Sequence, residues 1–316
     1  MALPFPSPLG YSFSYLLRYE TGFVAVDLGW DTDEGWELFC AALTRAGGSL
    51  DELAGVVVTH AHPDHYGLAE RVHRHTGAWI GMHPAEQVQI ARTEKARRRR
   101  VIDIESWLRR CDVPRGRQDE MLSDREQLMG DLPSAWPDVP LLDGAAVPGT
   151  GGHLKAIHTP GHTPGHLVFH DGERNMLFTG DHVLPRVTPN VSWRPNSAPD
   201  PLEDYRRSVA RLTPYGDALA LPGHEWSFDR LGSRLEELDA HHEERLDEIE
   251  TLVGLGHRTV WSVARAVSWA RPFDSLAPRA VRSALGETHA HLTRLSNVGR
   301  LVLEEGEPPV WRAAAA

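Results

Sequence analysis

Cysteine and lysine are both scarce in this sequence. The 316 residues include two cysteines, Cys40 and Cys111, in segments whose pattern indicates helices and without Cys-x-x-Cys spacing. This scarcity argues against disulfides and against a zinc site built on thiolates. The only lysines are Lys95 and Lys155, so positive charge is carried by arginine, which we interpret as a coding bias.

Long apolar runs and a basic leader segment are also missing. No apolar stretch approaches the ~20 residues that a membrane-spanning helix needs. Residues 1–8 contain three prolines and no basic residue, unlike a secretory signal. We therefore expect a cytoplasmic protein that does not bind membranes. With 41% hydrophobic residues, the chain is long enough for one sizeable core and a smaller one, which predicts two domains.

Four potential metal ligands stand close together after the apolar run 56–58, which is typical of a buried strand. They are His60, His62, Asp64 and His65. A proline inside the cluster disfavours a helical continuation, so we expect these ligands on a tight loop. Imidazole nitrogens together with a carboxylate are the ligands that Zn²⁺ and similar cations favour.

Three further candidate ligands follow strand-like segments in the same way. They are His162, Asp181 and His224. A single cluster of histidines is compatible with a surface patch, but four repeats of strand, turn and ligand are not easily explained in that way. The pattern predicts that the chain builds one metal site from all seven side chains.

This set of motifs, HxHxDH, a histidine in a PGHT turn, an aspartate in a GD turn and a last histidine, resembles the metallo-β-lactamase superfamily. The resemblance covers roughly residues 11–226. It implies an αββα sandwich with a two-metal site along one edge of its paired sheets. It assigns one metal to His60, His62 and His162 and the other to Asp64, His65 and His224, with Asp181 bridging the two.

The resemblance also implies a chemistry. Two Zn²⁺ ions, with iron or manganese as alternatives, share a hydroxide that attacks the substrate. We give Asp64 the further, hypothetical role of orienting this hydroxide or receiving its proton. The antibiotic-degrading β-lactamases of the best-known branch have a cysteine where Asp181 stands, whereas aspartate with an added His65 resembles the glyoxalase-II-like and ribonuclease-like branches. We therefore expect a hydrolase that cleaves a thioester or ester of a small intracellular metabolite.

Two other activities of the superfamily stay open from the sequence. The first is an endoribonuclease, and the second is a persulfide dioxygenase with one iron on His60, His162 and Asp181. Tyr66 also has two interpretations, since it either donates a hydrogen bond to a substrate oxyanion or packs the start of a helix predicted at 67–76. We interpret the histidines at positions 158, 166, 170 and 182 as supporting or surface residues.

A basic segment at 91–118 interrupts a chain whose net charge is -11. It contains Arg97 to Arg100 and belongs to a helical insertion predicted at about 84–130, followed by a loop predicted at 131–152. Either these arginines form a solvated helix face, or they clamp an anionic substrate. The net charge argues against general affinity for nucleic acid without excluding it. The expected partner is a small molecule, anionic if the clamp exists.

The C-terminal segment has a helical pattern followed by a hairpin pattern. Apolar residues at spacings of three and four predict a long helix at 231–253 and shorter helices at 259–269 and 278–295. A β-hairpin is predicted at 300–311. Three helices and a hairpin resemble the winged-helix domain that one glyoxalase-II-like branch appends to its hydrolase.

The predicted domains are therefore a catalytic domain at 1–235 and a winged-helix domain at 236–316. The predicted hairpin carries Glu304, Glu305 and Glu307 where a DNA-contacting wing favours basic residues. We interpret this domain as a packing element or a dimerisation element, which leaves a homodimer open.

Overall fold

The computed structural model describes residues 1–6, 10–88, 90, 94–123, 135–195 and 197–314. The chain forms two compact units. The first comprises Met1–Arg92, Asp131–Pro189 and Ser208–Leu235, and the second comprises Thr93–Gly130, Asn190–Arg207 and Glu236–Ala316. The domain boundary predicted from the sequence at 235/236 stays a prediction. It supposed two continuous domains, whereas each compact unit consists of three segments of the chain.

The first unit contains a five-stranded sheet. Its strands in chain order are β3 (Tyr15–Tyr19), β4 (Gly22–Val26), β5 (Leu53–Val57), β6 (Trp79–Met82) and β7 (Val139–Pro140), and they lie in the same order in the sheet. β3 and β4 are antiparallel, and the later pairs are parallel. A separate two-stranded antiparallel pair, β1 (Ala2–Pro4) and β2 (Tyr11–Phe13), precedes this sheet in the chain.

A four-stranded sheet completes the strands of the first unit. It consists of β8 (Leu154–His158), β9 (Leu167–Asp171), β10 (Met176–Gly180) and β11 (Leu219–Pro222). β8, β9 and β10 pair antiparallel, and β11 pairs parallel with β10. Consequently the carboxyl ends of β10 and β11 lie at the same edge of this sheet.

The two sheets pack face to face around an apolar core. Val24, Val26 and Val57 of the first sheet belong to one buried cluster with Phe169 and Phe178 of the second. Such burial is the main favourable contribution to folding, at roughly 25 cal/mol per Å² of apolar surface.

Helices cover the other face of the five-stranded sheet. Helices α1 (Asp33–Arg45) and α3 (Ala69–Thr76) contribute Phe39, Leu43 and Val72 to a second buried cluster on that face. Thr32 caps the start of α1, and its side chain accepts a hydrogen bond from the Gly35 amide at 2.9 Å. Helices and facing sheets are the layers that the resemblance predicted.

The other helices are α2 (Pro63–Tyr66) and α4 (Pro84–Gln87) in the first unit, and α5 (Glu94–Arg110), α6 (Arg115–Leu122), α9 (Val260–Ala266) and α10 (Pro278–Asn297) in the second. Two helices, α7 (Pro201–Leu212) and α8 (Leu231–Gly254), contain residues of both units. Short 3-10 turns lie at Leu50–Glu52, Thr213–Tyr215 and Phe273–Ser275. Among the described residues, no helix is both long and apolar enough to span a membrane.

The C-terminal elements agree with the periodicity of the sequence. The three predicted helices are α8, α9 and α10, and β12 (Leu301–Glu304) pairs antiparallel with β13 (Val310–Ala313) as the predicted hairpin. Their identification as a winged helix stays a prediction. The predicted end of the helical insertion near 128–129 lies outside the described residues. The segment 131–152, predicted as loop, contains the edge strand β7.

Candidate metal centre

The seven side chains predicted as ligands lie at the ends of strands in the first unit. His60 and His62 follow β5, Asp181 follows β10 directly, and His224 follows β11. His162 lies in the turn between β8 and β9. Asp64 and His65 are in α2, where Pro63 occupies the first helical position. The expectation that Pro63 disfavours a helix and leaves all four ligands on a loop was wrong for Asp64 and His65, because proline is well suited to the first helical position, where its missing N–H costs nothing.

Three imidazoles and one carboxylate form the first group of this centre. Nε2 of His60 lies 2.8 Å from Nδ1 of His62, which lies 3.2 Å from Nε2 of His162. Asp181 belongs to the same group, its Oδ2 being 3.9 Å from Nε2 of His162. Three imidazole nitrogens and one carboxylate oxygen, all within 4.8 Å of one another, are donor types that Zn²⁺ favours.

The second group consists of Asp64, His65 and His224. Oδ2 of Asp64 lies 3.3 Å from Nε2 of His224. The other oxygen of Asp181, Oδ1, lies 3.3 Å from Nε2 of His65 and 3.4 Å from Nε2 of His224. Asp181 therefore faces the first group with one oxygen and the second group with the other, as a bridging ligand would.

Two buried polar atoms indicate that these residues fit a cation. Nε2 of His65 and Oδ1 of Asp181 are inaccessible to solvent and form no hydrogen bond within the described part of the chain. The two atoms lie 3.3 Å apart without hydrogen-bond geometry, and a buried polar atom that lacks a hydrogen bond costs roughly 1–3 kcal/mol. A divalent cation bound to both would satisfy them, so the donor set fits the metal that the resemblance implies.

Asp27, which the sequence analysis did not single out, orients two of the imidazoles. Its Oδ2 accepts a hydrogen bond from Nδ1 of His65 at 2.7 Å and another from the Thr59 hydroxyl at 2.8 Å. Because a carboxylate only accepts, the Thr59 hydroxyl must donate to it and can only accept from Nδ1 of His60, 3.0 Å away. Both rings thus keep a proton on Nδ1 and direct Nε2 into the centre.

The electrostatic environment of the centre shifts the pKa values of its ligands. It favours the deprotonated, metal-binding form of some ligands and the protonated form of others. Burial, helped by His65 and His62, holds the pKa of His60 well below its usual value. Burial raises the pKa of Asp64, but His65 and His224 outweigh it and hold this pKa at about 2. In the same way burial lowers the pKa of His224, but Asp181 and Asp64 outweigh it and raise the pKa to about 10. The proton on His224 compensates the negative charge of Asp181 and Asp64, which a bound cation would otherwise compensate.

Glu86 joins the two loops that carry the first group. It is fully buried in α4, and it accepts a hydrogen bond from the amide of Ala61 at 2.8 Å and from the amide of Gly165 at 2.7 Å. Ala61 lies between two ligand histidines, and Gly165 lies in the loop of His162. Sequence reasoning missed Glu86, which has no local motif around it.

The structure also distinguishes the two interpretations of Tyr66. Its side chain is fully buried, and its hydroxyl donates a hydrogen bond to the carbonyl of Ala135 at 2.6 Å. These contacts support the packing role. Among the neighbouring histidines, His166 is fully buried with its ring 5.1 Å from that of His60, centroid to centroid.

The basic segment is helical over α5, which belongs to the second unit. Arg99 pairs with Asp103 one turn later at 2.9 Å, and it is largely exposed. The side chain of Arg97, and all of Arg92, lie outside the described residues. The anionic clamp stays a prediction.

Comparisons with known proteins agree with this geometry. The profile of the metallo-beta-lactamase superfamily matches residues 7–224. The structure of a metallo-beta-lactamase family protein from Thermus thermophilus aligns with 99% of this chain and 97% of its own, at 28% identity and a TM-score of 0.81. The predicted metallo-β-lactamase fold is therefore confirmed, and the winged-helix domain stays a prediction.

Two curated relatives add information about activity. The probable metallo-hydrolase YqjP of Bacillus subtilis is 23% identical over 92% of this chain and 89% of its own length. The acyl-coenzyme A thioesterase MBLAC2 of Bos taurus is 27% identical over 59% of this chain and 63% of its own length. Other curated relatives are matched over about half of their length. By its profile match, its fold and its two groups of His and Asp residues that could hold a metal ion, the chain belongs to the metallo-beta-lactamase superfamily.

Proposed function

We propose that this protein hydrolyses a thioester of a small metabolite, using two divalent cations, most naturally Zn²⁺, with iron or manganese compatible with the same donors. The observation that carries the proposal is Asp181, whose two carboxylate oxygens face two separate groups of ligands. His60, His62 and His162 would hold one cation, and Asp64, His65 and His224 the other. When bound, such a pair of cations lowers the pKa of a shared water and polarises the substrate carbonyl.

Asp64 orients the attacking water. Its carboxylate is accessible over 14% of its side-chain surface, and its backbone carbonyl accepts a hydrogen bond from the Ser12 hydroxyl at 2.7 Å, which fixes the start of α2. Because the pKa of Asp64 is held at about 2 by His65 and His224 against the effect of burial, the carboxylate serves as an acceptor and does not store the proton of the water.

The reaction consumes one water and yields a carboxylic acid and a thiol. The C–S bond breaks as the C–O bond forms, and the electron pair leaves with sulfur. A thiol has a pKa of about 8.5, so the thiolate leaves without a proton donor from the chain. An alkoxide would need one, which favours a thioester over an ester. The 27% identity to an acyl-coenzyme A thioesterase supports the same choice.

Turnover of matched substrates tests the proposal. The zinc-loaded protein is incubated with acyl-CoA thioesters, a lactone and single-stranded RNA, with Asp181→Ala as the control for contaminating activity. We expect release of free thiol that falls at least about 100-fold in Asp181→Ala, because loss of a direct ligand exceeds the 10–100-fold effect of losing an outer partner. Cleavage of RNA without any thiol release would instead support the endoribonuclease.

A further inference from the structure

An exposed apolar patch lies beside the metal centre. Five large hydrophobic side chains of the first unit are exposed among the described residues. Three of them adjoin Glu225: the Tyr11 hydroxyl donates to its carbonyl, the Val187 amide donates to its carboxylate, and Trp226 is the next residue in the chain. Their exposed fractions are 37%, 38% and 48%. Scattered exposed hydrophobic residues are ordinary, but a cluster at a site marks a binding surface. These three residues are called the aromatic patch below.

Glu225 fixes the patch in place. Its carboxylate accepts hydrogen bonds from the amides of Arg186 and Val187, both at 3.0 Å, and its carbonyl accepts one from the Tyr11 hydroxyl at 3.0 Å. The backbone of Glu225 has a φ of 72°, which a non-glycine residue adopts only when its surroundings enforce it. This turn places His224 towards the metal centre and leaves the next side chain, Trp226, in solvent.

The patch is continuous with the metal centre through β2. Nδ1 of His224 donates a hydrogen bond to the carbonyl of Tyr11 at 3.0 Å, and the amide of Phe13 donates one to the carbonyl of Gly223 at 2.7 Å. The Tyr11 and Phe13 rings meet edge to face with their centroids 5.3 Å apart. A group bound on the patch would therefore lie beside His224, one of the proposed metal ligands.

The charge of the patch determines which part of a substrate fits it. The Arg186 guanidinium lies over the Trp226 ring, 5.6 Å from its centroid, but it is paired with Glu225 at 3.1 Å. This pairing neutralises the cation that lies on the patch, so a phosphate or carboxylate gains little there. Flat indole and phenol faces instead favour an uncharged aromatic ring, because aromatic pairs gain about 0.5–1.5 kcal/mol beyond their buried area.

We propose that the aromatic patch binds the acyl group of the substrate and selects thioesters of aromatic acids. The proposal rests on the thioesterase activity proposed above and names its substrate class. Trp226 is the main contact, and Tyr11 and Val187 flank it.

Three thioesters with the same CoA carrier test this selection. Acetyl-CoA lacks a side group, cyclohexylacetyl-CoA adds an apolar ring, and phenylacetyl-CoA adds a flat ring on the same carbon skeleton. We expect kcat/KM for phenylacetyl-CoA to exceed that for acetyl-CoA at least tenfold and that for cyclohexylacetyl-CoA about threefold. In Trp226→Ala the phenylacetyl-to-acetyl ratio should fall at least fivefold.

Leu142→Ala is the matched control, since Leu142 is also an exposed hydrophobic residue of the first unit, at 56% exposure, and lies outside the patch. The phenylacetyl-to-acetyl ratio of kcat/KM in Leu142→Ala should stay within twofold of the wild-type ratio. An unchanged ratio in Trp226→Ala, or equal kcat/KM for all three thioesters, overturns the proposal while leaving the thioesterase intact. A concentration-dependent dimer that Trp226→Ala abolishes also overturns it, because the patch is then a contact between copies.

A binding measurement separates failure of the subsite from failure of the thioesterase. The phenylethyl thioether of CoA cannot be hydrolysed, and its affinity is measured by calorimetry with wild type, Trp226→Ala and Leu142→Ala. Binding that weakens at least fivefold only in Trp226→Ala supports the subsite even if no thioester is cleaved. Equal binding by all three proteins contradicts it.

Discussion

The carboxylate of Asp27 accepts a hydrogen bond from Nδ1 of His65 at 2.7 Å. Through the Thr59 hydroxyl the same carboxylate also holds His60, so one buried acid orients an imidazole of each proposed metal group. Neither Asp27 nor Thr59 touches the position of a cation. Their effect is to fix the tautomer and direction of the rings that do.

Asp27→Asn should lower zinc affinity about 10–100-fold. Asp27 uses both of its oxygens, Oδ2 for His65 and the Thr59 hydroxyl and Oδ1 for the Thr59 amide, whereas asparagine has a single acceptor oxygen. At least one of these hydrogen bonds is therefore lost, and the two rings are held less firmly. The measurement is zinc binding in competition with a chromophoric chelator. Asp171→Asn is the control, because Asp171 is also a fully buried acid that accepts backbone amides, at Glu173 and Arg174, away from the ligands. Asp171→Asn should lose fold stability without losing zinc affinity, and wild-type affinity in Asp27→Asn contradicts this account.

Glu86→Gln should weaken the first metal group more than the second. Glutamine offers one acceptor oxygen where two amides, of Ala61 and Gly165, each need one, so one of the loops that carry His62 and His162 loosens. In a stepwise zinc titration we expect the step assigned to the first group to weaken roughly tenfold. Equal weakening of both steps would indicate a general loss of structure.

Gly223→Ala should abolish binding at the second metal group. A Cβ at this position would lie 2.5 Å from Cε1 of His65 and 2.6 Å from Oδ1 of Asp181, closer than any real contact, so both ligands must move. We expect at most one zinc per chain and a large loss of activity. Gly116→Ala is the control, since a Cβ there meets nothing within 4 Å and alanine favours the helix. Two zinc ions in Gly223→Ala would refute the steric argument.

Zinc binding should release protons, and its affinity should rise with pH. Burial lowers the pKa of His65 and His224, but the facing carboxylates outweigh it, so the pKa of His65 lies well above its usual value and that of His224 is about 10. With a pKa of about 10, His224 carries a proton at pH 7 that zinc must displace. Affinity at the second group should increase about tenfold per pH unit for each proton displaced.

Calorimetry in buffers of different ionisation enthalpy counts these protons. We expect at least one per chain between pH 6 and pH 8, and fewer in His224→Ala. By the same linkage, the metal-free chain has the stabilisation from a charged His224 fully below about pH 6.5 and loses it as the pH rises towards 10. Zinc binding without proton release contradicts the charge assignment.

The ligands themselves were predictable from the sequence because each belongs to a short motif behind an apolar strand. His162 and His224 could be predicted as ligands without knowing which strands pair, because each follows a strand and the ends of strands lie at the edges of a sheet. Asp27 also directly follows an apolar strand, β4. The same sequence pattern could therefore have identified it. Glu86 gave no such signal, because its role depends on partners such as Gly165, 79 residues away in sequence, which it meets only in the folded chain.

The helices of the second unit followed from periodicity, and the hairpin from its turn residues. Periodicity did not indicate which segments of the chain make up that unit. The segment Thr93–Gly130 is packed into the same compact unit as Glu236–Ala316, although the sequence suggested an insertion belonging to the catalytic domain. Contacts between distant segments depend on surface complementarity, for example the Nε1–H of Trp107, which donates to Nδ1 of His289 at 3.0 Å, and periodicity does not encode such pairs.

The number of zinc ions per chain tests the central claim most directly. Protein loaded with zinc and desalted is measured by elemental analysis, alongside Asp181→Ala. Two ions per wild-type chain and one or none in the variant are expected, because Asp181 faces both groups. One ion per wild-type chain, or an Asp181→Ala variant that retains two, would contradict the account.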